Sequence, residues 1–489
     1  LSTSRPSPVI PIRPVAGDSD AAPATRVVSL YEKQKKIYPR AVSGWFARWR
    51  WTLVWITQLV FYGLPWLQWN GRQAMLFDLE AKRFYIFGLV LYPQDFIYLT
   101  ALLVISALAL FFFTAVAGRL WCGYACPQTV YTEIFMWVER RIEGDRIARM
   151  KLDAAPWSAA KLARKSAKQA AWLAIGLWTG FTFVGYFTPV RELSAAALGL
   201  GLGPWESFWV LFYGFATYGN AGYLREQICK YMCPYARFQS ALIDRDSMVI
   251  TYDAGRGEPR GSRKRSADPA AIGLGSCIDC TLCVHVCPTG IDIRHGLQSE
   301  CIGCAACIDV CDGVMDKMGY ARGLIRYSTE NGVAGGLSRG QMIRRTLRPR
   351  VLVYGAILFA ASVAFVASIA MKSPFKVDVI KDRNTLARVV EDGRVENVYR
   401  LQIMNGTEAT QRYRIAVHGL QGLAVSSDTT VEVPPAEVRS VPVRLQLPPE
   451  TAEALQGRSN EIEFELAQLG PQAQPAAVVR EKSTFLVPR

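Results

Sequence analysis

Two cysteine runs lie back to back near the middle of the chain. The first is Cys277-x2-Cys280-x2-Cys283-x3-Cys287-Pro288, the second Cys301-x2-Cys304-x2-Cys307-x3-Cys311. Each has the ligand spacing of a bacterial [4Fe–4S] ferredoxin. The close C-x-x-C-x-x-C spacing lets one loop wrap three corners of a cubane, and the fourth ligand comes from the other run, so the halves interlock. The expected sets are therefore Cys277, Cys280, Cys283 and Cys311 for one cluster, and Cys301, Cys304, Cys307 and Cys287 for the other. Zinc sites usually use two cysteine pairs separated by a long gap, so the run spacing argues against zinc and against a disulfide framework.

The rest of the chain points to a membrane. Of its 489 residues 51% are hydrophobic, and the net charge is +15. A basic, apolar protein meets either nucleic acid or lipid. Five apolar stretches decide for lipid: Ile56–Trp66, Phe96–Ala117, Ala170–Phe187, Phe208–Leu224 and Val351–Met371. Each fits a spanning helix of about 20 residues or the apolar centre of one. Trp49, Trp51, Trp66, Trp69, Trp121, Trp205 and Tyr223 crowd their ends, as in an interfacial belt. Gly, Thr and Tyr in the third and fourth stretches suit helix–helix contact.

Lysine and arginine set the expected orientation. The first 50 residues carry nine, residues 118–168 ten and residues 225–350 eighteen. The alternate connections 67–94 and 189–204 carry three and one. The rich segments belong inside, which puts the cysteine runs in the cytoplasm, where thiols stay reduced. With five spans the C-terminal part lies outside, in the periplasm of a bacterial inner-membrane protein. That part, residues 372–489, has no cysteine and balances 15 Lys+Arg with 15 Asp+Glu. The excess positive charge therefore sits on the inner face, beside anionic lipid, and nucleic acid is not expected as a partner.

The expected fold is a multidomain membrane protein. Residues 1–48 form a basic cytoplasmic N-terminus, disordered over 1–25, and 49–250 a helical domain with spans one to four. Residues 251–348 form an inserted 2[4Fe–4S] ferredoxin-like domain, reached through a flexible basic linker at 255–270. Residues 349–371 are span five, completing a five-span α-helical bundle. Residues 75–95 suggest a small outer hairpin. Beyond span five the apolar period becomes two: Tyr399, Leu401 and Ile403; Tyr413, Ile415 and Val417; Val441, Val443, Leu445 and Leu447; Ile462, Phe464 and Leu466. That alternation predicts an immunoglobulin-like β-sandwich over 372–489.

Four cysteines remain, and they form an internal repeat. One copy is Cys122-Gly-Tyr-Ala-Cys126-Pro127, the other Cys229-Lys-Tyr-Met-Cys233-Pro234. Each follows an apolar stretch at its expected inner end. Cysteines at i and i+4 share a helix face, with Cβ atoms about 5–6 Å apart. The proline favours a break or a helix start. Two copies can bring four thiols together. Thiolates prefer Cu(I), zinc or an iron–sulfur cluster, so copper and a third cluster both stay open for Cys122, Cys126, Cys229 and Cys233. The three histidines, His285, His295 and His418, lie outside the spans, so a haem held between helices by two histidines is not expected.

Trp121–Glu133 (W-C-G-Y-A-C-P-Q-T-V-Y-T-E), the second C-x3-C-P, the tandem runs and the C-terminal sandwich together resemble the CcoG/FixG/RdxA family. The resemblance extends from about Tyr31 to the end. It implies a cupric reductase that serves assembly of the cbb-type cytochrome c oxidase, with the oxidase or its copper-delivery factors as partners and a cytoplasmic electron donor. By position, Cys122, Cys126, Cys229 and Cys233 match the family's membrane-proximal motifs, and Cys277 to Cys311 its cluster ligands. Asp312 departs from a common pattern, since proline often follows the last cysteine of a run. Two rival readings are a quinol-linked electron conduit to another redox partner and a non-catalytic assembly factor.

Overall fold

The structure, a computed structural model, describes residues 36–268, 271–382, 387–470 and 475–488. The segment expected to be disordered, 1–25, lies outside the described residues. The first half is helical: α1 (Trp45–Gly63), α2 (Phe96–Ala117), α3 (Leu120–Tyr124), α4 (Pro127–Ile142), α5 (Arg146–Ala154), α6 (Ala159–Val184), α7 (Val190–Leu198), α8 (Pro204–Gly219) and α9 (Pro234–Leu242). Helices stand at all five expected apolar stretches. Among the described residues two, Pro93–Ala117 and Pro349–Ala370, are long and apolar enough to cross a membrane. The other three fall short for visible reasons. Arg48 and Arg50 occupy the start of α1, and Lys161, Arg164, Lys165 and Lys168 the start of α6. Helix α8 ends after 16 residues, where the winding widens into a π-helix at Asn220–Leu224.

Small residues set the packing of α6 on α8. A Cβ added at Gly180 would meet the Val210 carbonyl oxygen, and one at Gly176 would lie 2.7 Å from the Gly214 oxygen. Small residues let the two backbones approach closely and pack over a long stretch. Large apolar side chains such as Leu59, Leu103, Phe212 and Phe359 stay on the outside.

Between α1 and α2 the chain forms a two-stranded ribbon, β1 (Gln68–Trp69) with β2 (Arg72–Gln73), and a three-stranded antiparallel sheet, β3 (Met75–Asp78), β4 (Arg83–Ile86) and β5 (Leu89–Leu91). This is more than the expected hairpin. Gln73 ties it to the helices, donating to the Gly185 carbonyl (2.7 Å) and accepting from the Val190 N–H (2.9 Å).

The inserted module contains α10 (Ala254–Gly257), α11 (Leu282–His285), α12 (Ala306–Met318), α13 (Glu330–Ala334) and α14 (Arg339–Thr346). The antiparallel pair β6 (Val249–Tyr252) and β7 (Ile325–Ser328) closes its two ends. The segment expected as a flexible linker is instead bonded to the module over its described part. Gly261 N–H donates to Cys277, Gly275 N–H to Pro259, and Arg263 to Gly275 (2.7 Å) and the Tyr320 hydroxyl (3.1 Å). Its basic side chains find carbonyls and an aromatic ring there, so charge did not imply freedom. Asp312 leaves α12 unbroken through Cys311 and accepts the Gly323 N–H.

After α15 (Pro349–Ala370) comes a β-sandwich. One sheet runs β12 (Ala424–Val425), β14 (Val438–Leu447), β10 (Val395–Asn405) and β8 (Phe375–Lys381), with β9 (Arg388–Val389) also on β10. The other runs β13 (Thr430–Val433), β11 (Gln411–His418), β15 (Ser459–Leu469) and β16 (Pro475–Leu486). The alternating residues point inward: Leu401, Ile403, Val443 and Leu445 face Tyr413, Ile415, Phe464 and Leu466 in one core. Each such side chain contributes about 1.5–3 kcal/mol of burial.

The sandwich rests on the β3–β5 sheet. Leu76, Tyr85, Val90 and Tyr92 pack on Met404 and Ala436, and the Tyr92 hydroxyl donates to Asn405 (2.7 Å). Asp95, 3% exposed, holds Lys372 at 2.9 Å and Lys376 at 2.6 Å. The lysines keep some access to water, so losing the pair costs less than a fully buried one. Asp95→Ala is expected to destabilise this junction by about 2 kcal/mol. Limited proteolysis should then cut residues 371–374 faster than in the wild type; an unchanged cleavage rate would show that apolar contact alone seats the sandwich.

Candidate functional site

The tandem runs form two neighbouring pockets. Cys277, Cys280, Cys283 and Cys311 line the first, walled by Tyr252, Leu282, Val314, Met315 and Leu324. Cys287, Cys301, Cys304 and Cys307 line the second, with Ile250, Ile291, Ile293 and Ile302. The fourth cysteine of each run thus reaches into the space framed by the other. Cys283 borders both. Positive backbone φ at Asp279, Thr281, Gly303 and Ala305 curls the two binding loops tightly. Soft thiols in an apolar shell fit an iron–sulfur cubane in each pocket.

Burial raises these thiols: Cys283 to about 11, Cys301 and Cys311 to about 12, and Cys307 well above its ordinary value, with neighbouring cysteines adding to the shift. Such thiols favour their protonated form until a cation takes them. The pockets differ in setting. Cys280 of the first is open to solvent, whereas Cys304 of the second also lines a cleft against the helical domain.

The two C-x3-C-P copies meet there. Cys229 lies near Cys126, Cys122 and Cys233, and Cys122 near Cys126 and Cys233. Burial pushes Cys122 to about 11 and Cys229 to about 12; burial also raises Cys126, opposed by the N–H groups of Gln128 and Thr129. The expected i,i+4 helical pairing is modified. Cys126 and Cys233 sit outside the preceding turns, in extended conformation, as the N-caps of α4 and α9, with proline at the first helical position. In both copies the second cysteine's N–H bonds five residues back, Cys126 to Trp121 and Cys233 to Ile228. The second copy is itself a π-helix, Ile228–Met232, a rare winding that recurs at functional sites. Each capping thiol also meets the positive end of a helix dipole. Among the described residues no three metal-binding side chains are gathered closely enough for a single ion, so the four thiols would have to draw together around one.

Residues without a sequence signal hold this arrangement. Gln239, 1% exposed, accepts from the Cys122 thiol (3.2 Å) and donates to Thr114 (3.3 Å). Gln128, beside the first proline, donates to the carbonyls of Asn220 (2.9 Å) and Arg225 (3.2 Å), so one copy braces the other. Glu139 anchors the turn before Cys229 by accepting from Arg225 (2.8 Å) and Arg149 (2.6 Å). Burial would raise the Glu139 carboxyl, but Arg225, Arg149 and Lys168 hold it below its ordinary range. The Trp172 ring stacks on Phe135 at 5.2 Å and takes the Lys168 ammonium at 4.6 Å.

The four-thiol set and the second pocket touch through backbone. A Cβ at Gly123 would lie 2.8 Å from the Gly303 carbon and the Ile302 oxygen, and 2.9 Å from the Cys304 Cα. Arg119, 5% exposed, is the nearby cation. It favours the thiolates of Cys122, Cys229 and Cys301 alike. The module is further clamped by Asp309 of α12, which accepts the Phe46 (3.1 Å) and Ala47 (2.7 Å) N–H groups at the start of α1. Of the module's other acids, Asp279 and Asp292 pair with Arg294 and Asp316 with Arg322, so this local charge serves structure. His295 stands 3.9 Å from Asp292 and His418 3.8 Å from Glu465.

Comparison with known proteins matches three family models. Residues 224–330 match a 4Fe-4S dicluster domain, residues 99–144 a 4Fe-4S binding domain, and residues 365–488 the IG-like fold at the C-terminus of FixG. The chain is 38% identical over 472 residues to the nitrogen fixation protein FixG of Rhizobium meliloti, covering 88% of this chain and 90% of that one. It is 38% identical over 465 residues to protein RdxA of Cereibacter sphaeroides, covering 92% and 97%. Protein RdxB of the same organism is 39% identical over 429 residues, covering 86% and 89%. A crystal structure of a FixG-related protein from Vibrio parahaemolyticus is 29% identical over 24% of this chain and 97% of its own, with a TM-score of 0.21.

The glycine contact gives a paired test. Gly123→Ala forces backbone apart and is expected to cost about 1–3 kcal/mol. It should also change the EPR line shape of the cluster beside Gly303 while leaving the other unchanged. Gly313→Ala in α12, where a Cβ meets nothing within 4 Å, should be neutral or stabilising by up to about 1 kcal/mol. Equal behaviour of the two variants would remove the close approach as a constraint.

Proposed function

The chain belongs to the FixG/RdxA family, and from that premise we propose that it is a membrane-bound cupric reductase working for assembly of a cbb-type cytochrome c oxidase. That it is an iron–sulfur electron-transfer protein follows from its family and its 4Fe-4S domains. One observation carries the reading: the thiols form a line that leads from solvent to the C-x3-C-P repeats. It starts at exposed Cys280, passes Cys283 between the two pockets, and reaches Cys122 and Cys229 across the Gly303–Gly123 contact.

Cys277, Cys280, Cys283 and Cys311 would hold one cluster, and Cys287, Cys301, Cys304 and Cys307 the other. When bound, the clusters supply electrons one at a time. Cys122, Cys126, Cys229 and Cys233 receive copper. One electron converts Cu(II) to Cu(I), and soft thiolates hold the product better than the reactant. Arg119 lowers the cost of keeping several thiolates together before the metal arrives. The alternating Lys+Arg density supports a five-span topology, with the thiol sets cytoplasmic and residues 372–489 periplasmic. On that topology the sandwich faces oxidase subunits while copper is reduced on the opposite side.

A second reading places a third [4Fe–4S] cluster on the same four cysteines. It is favoured by the 4Fe-4S binding match over 99–144, which includes Cys122 and Cys126. Anaerobic metal analysis separates the two. About eight iron atoms per chain, unchanged in a Cys122/Cys126/Cys229/Cys233 quadruple serine variant, fit copper; about twelve, falling to about eight in that variant, fit the third cluster.

Cys126→Ser or Cys233→Ser is expected to weaken Cu(I) binding and slow copper reduction at least about tenfold, with both tandem-cluster EPR signals retained. Copper binding and reduction that survive the quadruple variant would end the copper reading. Fusing a reporter that is active only in the periplasm tests topology: it should be silent after Gly255 and active after Pro374. The reverse pattern would overturn the five-span arrangement.

A further inference from the structure

A cleft opens between the four-thiol set and the second cysteine pocket, with Cys229 on one wall and Cys304 on the other. Its volume of about 60 Å³ is enough for a few ordered waters or the carboxylates of a small anion. Five arginines line it: Arg40, Arg50, Arg140, Arg149 and Arg225. Two lining carboxylates, Glu133 and Glu226, oppose them, and Glu139 behind the wall pairs with Arg149 and Arg225. Asp309 also acts on Arg50, so five cations face four carboxylates, an excess of one positive charge. Arg50 and Arg149 are 6% and 3% exposed, and each leaves its Nε–H without an acceptor. Such an unmet buried donor is costly, and an anion supplies what it lacks. The same cleft is lined by a second soft donor, the Met136 thioether, besides the Cys229 thiol.

Soft sulfur beside surplus arginine is the chemistry of a metal that arrives with an anionic escort. We propose that this cleft receives copper as a small carboxylate chelate: the arginines take the carboxylates, and Cys229 and Met136 face the metal. The strap Pro39–Val42 forms part of the cleft's rim and is fixed in place. Arg40 N–H donates to the His285 carbonyl (2.8 Å), and Ala41 N–H to Asp145 (3.0 Å). Arg40 is exposed and Arg140 is half-buried, so both are reachable by an incoming anion. The proposal rests on the copper reading for its purpose, but the anion site can be tested without copper.

The test uses the full-length, cluster-loaded protein in detergent. Citrate without metal, titrated by calorimetry, is expected to bind, and the double variant R40Q/R140Q to weaken it at least about tenfold, since charge-assisted hydrogen bonds are lost. EPR of both tandem clusters, unchanged in the variant, shows that it is folded and loaded. In the wild type, KM for Cu(II)–citrate should lie below that for Cu(II) carried by a neutral amine chelator, and the double variant should narrow that ratio. Absence of citrate binding, or binding indifferent to the variant, overturns the proposal. So does citrate binding that disappears in phosphatidylglycerol nanodiscs, which would assign the arginines to a lipid headgroup. Arginine-dependent citrate binding without copper reduction from either chelate would sustain the anion site and sink the reductase reading instead.

Discussion

Gly123 and Gly303 press backbone on backbone, with no room for a methyl group between them. The arrangement of the cysteine-bearing part of the protein follows from that contact. It brings the first C-x3-C-P motif against the loop carrying Cys301 and Cys304, so two thiol sets that are remote in sequence become adjacent. Through-space electron transfer weakens steeply with distance, and a side chain at either glycine would hold the sets apart. Gly303 also needs its positive φ, so it is constrained twice, once by its own turn and once by its neighbour.

Around that contact the structure places charge where burial would normally forbid it. Glu139 and Glu143 are almost fully buried, yet each meets two cations, Arg149 and Arg225 for the first, Lys165 and Lys168 for the second. A buried pair adds little net stability, because desolvation offsets attraction. Its value is specificity: the chain before Cys229 is arranged so that Arg225 meets the Glu139 carboxylate. The π-helical turns there are thus held by an ionic contact from α4 and by the Trp172 ring of α6, as well as by their own hydrogen bonds.

Much of this was legible in the sequence wherever a short stretch of chain determines the outcome. Cysteine spacing announced the two pockets, period-two alternation the sandwich strands, and the prolines after Cys126 and Cys233 the helix starts. The unreadable parts depend on residues far apart. Nothing local marks Gln239 as the partner of Cys122, Gln128 as the brace of the second copy, or Arg119 as the cation between thiol sets. The basic stretch after Gly255 read as free because charge is usually solvated, whereas Arg263 finds carbonyls and the Tyr320 ring instead. The C-x3-C spacing correctly joined each pair of cysteines but did not reveal that the second leaves the preceding turn to cap the next helix. Three apolar stretches read as spans became helices whose lengths or charged ends depart from a simple lipid-length rule.

The carboxylate of Asp309 satisfies the first N–H groups of α1 across 262 residues of chain. At a synthesis rate of roughly 5–20 residues per second, α1 waits tens of seconds for its own cap to be made. Until then its opening turn has donors facing water, and the loop to be closed is long. Because Asp309 follows Cys307 by two residues, the cap can be delivered only by a module whose cysteine loops are already wound. Helix α1, the first among the described residues, is therefore among the last to be completed, and its finished N-terminus reports that the cysteine module has folded.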